Sequence, residues 1–359
     1  MRTDIKVGIT HGDINGIGYE VIFKALEDNR ILESLIPIIY GSSRIGAFHR
    51  KTLEASTINL NSIRSAEEAT SRKVHIINCI DDNVKVDIGK STEEGGAAAL
   101  AALKLAVEDL KAGKIDVLVT APINKKNIQS PDFHFPGHTE YLEQMLGGES
   151  LMFLVGEKIR VGVVTGHQPL NSVAESITTE SIMKKLRVLN ASLKNDFTIR
   201  KPRIAVLGLN PHAGDNGLLG NEEKDVITPA IEQAKKEGIM ALGPFAADGL
   251  FGSGQASKFD AILAMYHDQG LIPFKALEFS QGVNYTAGLP FVRTSPDHGT
   301  AYEIAGTNSA DESSFRTAMF LAVDIFNNRL LNKELSANPL KSFDSIKYQD
   351  DNDRHKKIV

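Results

Sequence analysis

Short runs of β-branched and apolar residues alternate along the chain with longer stretches whose apolar positions recur every three or four residues. "IKVGIT" (5–10) precedes "GYEVIFKALEDN", and "IPIIYG" (36–41) precedes "SSRIGAFHRKTLEA". "KVHIINC" precedes "TEEGGAAALAALKLAVEDLKAG", and "IDVLVTAP" follows. Runs of the first kind read as buried strands and those of the second as helices with one apolar face. Strands joined by helical crossovers run parallel, so the alternation predicts an α/β protein. Ser42 or Ser43 is placed to cap the second helix. Past "GHTEYLEQML", "LMFLVGEKIRVGVVTG" predicts two strands around a short turn, an antiparallel insertion. The alternation resumes with "RIAVLGL", "EEKDVITPAIEQAKKEG" and "FDAILAMY", and "SSFRTAMFLAVDIFNNRLL" predicts a last amphipathic helix. From about Asn338 the chain turns polar and is expected to fray. There is no internal repeat and no Pro- or Ser-rich linker, so two halves sharing a cleft are expected.

Composition narrows the class. In 359 residues the hydrophobic fraction is 42% and the charged fraction 24%, as in a soluble globular protein with a full core. A net charge of −5 gives no electrostatic footprint for nucleic acid. The single cysteine, Cys79, excludes an internal disulfide and a Cys-based zinc cluster. "MRTDIKVGIT" has no signal-peptide pattern, and "AAALAALKLAV", broken by Lys104, falls short of the roughly 18 residues of a membrane span. A cytoplasmic protein with no membrane partner is expected.

Three histidines end three apolar runs: His167 in "RVGVVTGH", His212 in "RIAVLGLNPH" and His267 in "FDAILAMYH". Each is followed by residues that read as loop, "QPL", "AGDNG" and "DQG". The carboxyl ends of strands line the ligand crevice of open α/β sheets, so the three can converge. Three neutral imidazoles hold a divalent ion and leave a position open; Zn²⁺ suits them, and Co²⁺, Ni²⁺ or Fe²⁺ also accept imidazole. Asp268 is placed either to orient an imidazole or to cap the following turn. Lys275, Asn284 and Arg293 follow in a stretch rich in Gly and Pro, read as a loop with the charge to hold a phosphate or carboxylate. His138 and Thr139 open a helical pattern, where free backbone N–H groups favour an anion and Thr139 can serve as a cap. Two glycine-rich segments are not nucleotide motifs. "GKST" (89–92) has Val84 where a P-loop needs glycine, and "GDINGIG" (12–18) lacks the GxGxxG spacing.

Together "GDINGIGYE", "VTAPINK", "FPGHTEYLE", "TGHQPL", "GLNPHAGDNGLLGNEE", "AMYHDQGLIPFK" and "GVNYTAGLPFVRTSPDHGTAYEIAG" resemble the 4-hydroxythreonine-4-phosphate dehydrogenase family of pyridoxal phosphate biosynthesis. The segments run in order from residue 12 to 306. The resemblance implies an isocitrate/isopropylmalate-dehydrogenase-like fold, two α/β/α halves flanking a central active-site cleft. Residues 1–128 with 290–359 would form the half with the cofactor loop. Residues 129–289 would form the half with the metal ligands and the dimer interface.

The same resemblance implies metal ligands His167, His212 and His267, one of the three coming from the partner of a homodimer. It implies substrate contacts at His138, Thr139, Lys275, Asn284 and Arg293, and an NAD-binding loop at His298, Gly299, Thr300 and Ala301. Two departures stand out: Ile14-Asn15 where the family usually has Pro-Ala, and longer stretches around 50 to 90 and beyond about 335.

The implied reaction is NAD-dependent oxidation of 4-phosphohydroxy-L-threonine at its secondary alcohol, then decarboxylation to 3-amino-2-oxopropyl phosphate. A divalent metal, Zn²⁺ first with Mg²⁺ and Co²⁺ as alternatives, would assist. Lys275, with His138 and Asp248 as acid-base candidates, would be the catalytic groups. Alternatives are a dehydrogenase of erythronate or threonate 4-phosphate in the same family, or a three-histidine zinc hydrolase.

Overall fold

The computed structural model describes residues 4–53, 58–278 and 280–338. Among them, twelve strands form one sheet. They are β1 (Ile5–Thr10), β2 (Leu35–Gly41), β3 (Leu60–Ile63), β4 (Val74–Asn78), β5 (Val117–Thr120) and β6 (Leu151–Val155). β7 (Arg160–Val163), β8 (Arg203–Leu207), β9 (Met240–Phe245), β10 (Ala261–Ala264), β11 (Val283–Ala287) and β12 (Val292–Pro296) follow. Their order across the sheet is β3-β4-β2-β1-β5-β12-β11-β6-β7-β10-β8-β9.

The first six in that order are mutually parallel, and so are the last four. Between them come three antiparallel steps, β12 to β11, β11 to β6 and β6 to β7. Three reversals leave the two parallel groups running in opposite directions. The hairpin expected from "LMFLVGEKIRVGVVTG" supplies one of them, with Phe153 opposite Gly162.

Both faces of the sheet are covered, which is why its strands read as near-continuous apolar runs. Every residue of β2 is buried. Ile36, Ile38 and Tyr40 join Leu103, Ala106 and Leu110 of the helix Glu93–Lys111 on one face. Ile39 joins Phe23 of Gly18–Leu26 and Phe315 and Met319 of Ser313–Ala337 on the other. In the second group, Val161, Ile262 and Ala205 meet Leu271 and Phe274 of the helix His267–Glu278. Each of the Val, Leu, Ile, Phe and Met side chains among these, when fully buried, contributes about 1.5–3 kcal/mol relative to exposure. Ser42 caps its helix, its Oγ accepting from the amides of Arg44 and Ile45. Thr92 does the same for Gly95.

Two local expectations are corrected. "DQG" after His267 is not loop: His267 opens a helix running to Glu278, because Leu271 and Phe274, three apart, both reach the core. Asn284 and Arg293 lie not in a loop but on β11 and β12, whose alternate residues enter the sheet's two faces. The expected fraying beyond Asn338 falls outside the described residues. No helix among those described is long and apolar enough to cross a membrane.

Candidate active site

β7 and β10 are parallel neighbours, with Ile262 opposite Val161. Their carboxyl ends therefore emerge side by side, which places the His167 and His267 rings 5.4 Å apart. Both line a cavity of about 280 Å³. Each ring has its Nδ1 on a carboxylate: His267 on Asp268 Oδ1 at 2.7 Å, His167 on Glu140 Oε1 at 3.5 Å. Asp268 thus orients its neighbouring imidazole. With Nδ1–H held in this way, Nε2 carries the free lone pair, the arrangement metal-binding histidines use.

His212 is not brought into this cavity. It follows β8 on a left-handed turn, in which His212, Ala213, Gly214, Asp215 and Asn216 all have φ between 42° and 78°. Four of these five carry side chains, and each costs roughly 1–2 kcal/mol in that conformation. The buried Glu223 carboxylate holds the turn's stem, accepting from the amides of Leu209 and Asn210 at 2.7 Å each. His212 itself is exposed. Among the described residues no group of three metal-ligating side chains assembles within the chain. The two imidazoles present, each backed by a carboxylate, fit a divalent ion that takes its remaining ligands from elsewhere.

The anion cluster assembles from three elements. Arg293, only 2% exposed on β12, donates from Nε (3.1 Å) and Nη2 (2.6 Å) to Thr120 Oγ1, and from Nη1 to Thr286 Oγ1 at 3.0 Å. Burial pushes its pKa down to about 9, so it remains a cation at neutral pH. Lys275, two turns along its helix from His267, pairs with Asp297 Oδ1 at 3.5 Å and donates to the Asp297 carbonyl at 3.2 Å. Burial raises the Asp297 pKa, and Lys275 opposes that rise. His138 is the first residue of the helix His138–Leu146, behind Gly137, and the buried Thr139 is the second. Burial, then the charges of Arg293 and Lys125, lower the His138 pKa well below its ordinary value and keep it neutral. Four buried polar atoms of the cavity's lining have no partner: His138 Nε2, Glu140 Oε2, Asn284 Oδ1 and His298 Nε2. Leaving such atoms without partners costs about 1–3 kcal/mol each, so water or a polar ligand in the cavity meets them.

Not every expected site residue arrives. Asp248 is exposed on the helix Ala247–Gly252 and does not line the cavity. Of the expected cofactor loop, His298 and Gly299 line it, whereas Thr300 and Ala301 do not. The Thr300 carbonyl instead accepts from the Ile17 amide at 3.1 Å, pinning the loop to "GDINGIG". Gly16 allows that packing, because a Cβ there would lie 2.7 Å from the Thr300 carbonyl oxygen. Tyr302 then donates to Asp13 Oδ2 at 2.7 Å. The departure at Asn15 is part of the same clasp: its Oδ1 accepts from the Asp87 amide at 2.8 Å and its Nδ2 donates to Thr92 Oγ1 at 3.0 Å.

Among the lining residues not singled out from sequence are Thr120, Lys125, Glu140 and Asp297. Lys125 Nζ donates to His167 Nε2 at 3.0 Å. Burial lowers the Lys125 pKa, and Glu140 opposes that. Burial pushes Glu140 up, but its bond to His167, its own amide and the charges nearby bring it below the usual range. All four stand beside residues that the sequence did single out or inside the same segments, which is the one signal they carried.

Residues 33–322 match the family described as pyridoxal phosphate biosynthetic protein PdxA. A Bacteroides thetaiotaomicron 4-hydroxythreonine-4-phosphate dehydrogenase is 53% identical over 354 residues, covering 98% of this chain and 97% of that protein. An Oceanobacillus iheyensis protein named putative D-threonate 4-phosphate dehydrogenase is 40% identical, covering 89% of this chain and 97% of its own. The solved 4-hydroxythreonine-4-phosphate dehydrogenase of Klebsiella pneumoniae superposes with a TM-score of 0.79 at 32% identity, covering 90% of this chain and 98% of that one. The chain belongs to the PdxA family of pyridoxal phosphate biosynthetic proteins, and by that membership it is an oxidoreductase.

Proposed function

We propose that the protein oxidises 4-phosphohydroxy-L-threonine at its secondary alcohol with NAD⁺ and a divalent metal, Zn²⁺ foremost. The β-keto acid then loses CO₂ to give 3-amino-2-oxopropyl phosphate on the route to pyridoxal 5'-phosphate. The observation that carries this reading is the cavity itself, where a buried arginine and four unpartnered polar atoms surround a space ringed by Lys125 and Lys275. Such a site is built for a small molecule with more than one anionic group. His167 and His267 would hold the metal, with His212 reaching it from a second copy in a homodimer. The 298–301 loop would meet the NAD. When bound, the metal stabilises negative charge on the reacting oxygen and NAD⁺ accepts the hydride.

The chain's own residues do the rest. Arg293, fixed by Thr120 and Thr286, offers its remaining guanidinium edge to an oxyanion and spends remote binding energy on orientation. Lys275 reaches the same cavity from the helix that begins at His267. His138, held neutral by its surroundings, can give or take a hydrogen bond at Nε2 as charge shifts on the substrate. Asn284 Oδ1 accepts from a donor on the ligand, such as a substrate ammonium or hydroxyl.

A second reading keeps the site and changes the substrate: the Oceanobacillus relative is named for D-threonate 4-phosphate. NADH formation with 4-phosphohydroxy-L-threonine and, separately, with threonate and erythronate 4-phosphates, with Zn²⁺ and with chelator, tests both. Turnover of the amino substrate that chelator abolishes is the expected result. Turnover of the hydroxy acids alone moves the enzyme to sugar-acid metabolism, and no NADH from any of them defeats both readings.

A further inference from the structure

We infer that Lys125 is a further substrate-binding residue, a third cation that meets an oxyanion of the substrate beside the metal ligand His167. This rests on the proposed reading of the cavity. Lys125 lies on the loop after β5, lines the cavity and is partly exposed. Its ammonium has no carboxylate within ion-pair distance among the described residues, and its side chain donates to His167 Nε2 at 3.0 Å. Glu140, the nearest carboxylate to act on it, is engaged with the other nitrogen of the same ring.

His167 Nε2 has one lone pair. With Nδ1 directed at Glu140, that lone pair serves either the Lys125 ammonium or a divalent ion, and not both. A metal held by His167 would therefore leave Lys125 free in a cavity whose other cations, Arg293 and Lys275, are already tied to Thr120 and Thr286 and to Asp297. An ammonium that faces this cavity with no carboxylate of its own is well placed to take an oxyanion. Carboxylate and phosphate share the required chemistry, and the substrate carries both.

The test compares the full-length zinc-loaded wild type with K125M and K125R. The measurements are steady-state kinetics on 4-phosphohydroxy-L-threonine, and equilibrium binding of zinc, inorganic phosphate and unphosphorylated erythronate. K125M should raise KM roughly ten- to hundred-fold with a smaller change in kcat, retain zinc, and be largely rescued in K125R. Weakened binding of phosphate alone identifies the phosphate as the partner of Lys125, and weakened erythronate alone identifies the carboxylate. Unchanged KM and unchanged affinity for both anions in folded K125M overturns the inference. So does loss of zinc with anion binding intact, since Lys125 would then only position His167. If the wild type turns over none of the candidate substrates while K125M still loses anion affinity, the catalytic reading fails and the anion site stands.

Discussion

Arg293 concentrates the physics of the site in one side chain. A guanidinium that is 2% exposed survives on β12 because two threonine hydroxyls fix part of its fork and leave the rest for a ligand. Lysine at this position would be a single point charge with no planar edge. R293K is expected to lower kcat/KM by about a hundred-fold, mainly through KM, and to leave the unfolding midpoint within a few degrees of wild type. Steady-state kinetics beside thermal unfolding check it; a loss confined to kcat would assign Arg293 to the reacting centre instead of the anion. Much of this scale was legible in the sequence. His167, His267, His138, Lys275, Asn284 and Arg293 could be named because histidines at strand ends and cations near them are rare enough to notice. Lys125 and Glu140 could not, since a lysine after "VTAPIN" or a glutamate in the first turn of a helix looks like any solvated charge. Only the fold sets them against the two nitrogens of His167.

At the scale of elements, strand-helix alternation predicted what local sequence controls: β1, β2, β5, β8, β10 and the helices between them. It misplaced "HDQG" and the segments of β11 and β12, where glycine and proline masked a helix start and two buried strands. It also missed a three-ring stack that joins elements. His11, just past β1, stacks on Tyr19 at 5.2 Å, and Tyr19 stacks on His49 of the helix Ser43–Thr52 at 4.9 Å. His49 Nε2 donates to the Ile14 carbonyl at 2.8 Å, so the stack braces the "GDINGIG" loop from behind. Burial pushes the His11 pKa down to about 3 and that of His49 down to about 4. Both stay neutral in the fold but take up protons near their ordinary values once unfolded. The unfolded chain therefore binds more protons below about pH 6.5, and stability falls as pH falls from there toward about 4. Each histidine contributes about 1.4 kcal/mol per pH unit across that window. H49Q, whose amide can still donate to Ile14, should lose less stability than wild type between about pH 7 and about pH 5. Denaturant midpoints at the two pH values measure the difference; equal losses would place the acid sensitivity outside the stack.

For the whole molecule, the consequential feature is the reversal at the centre of the sheet. β11 and β12 come late in the chain yet insert between β5 and β6, an order no local pattern announces. That insertion brings Arg293 and Asn284 against the helix of His138 and the strand ends of His167 and His267. The same topology leaves His212 on its left-handed turn outside the cavity. If His212 is the third metal ligand, as proposed above, a chain in this conformation would complete the set by pairing with a second copy, each lending its His212 to the other. This gives a sharp test. H167A and H212A should each be nearly inactive alone and bind zinc weakly. When the two are unfolded together, refolded and reassembled, each mixed dimer holds one site with His167 and His267 from one chain and His212 from the other. Random pairing then restores about a quarter of wild-type activity and of tight zinc binding. Recovery at that level places the third ligand across the interface. No recovery, with mixed dimers demonstrably formed, means that each chain completes its own site, and that the 212–216 turn must move to deliver it.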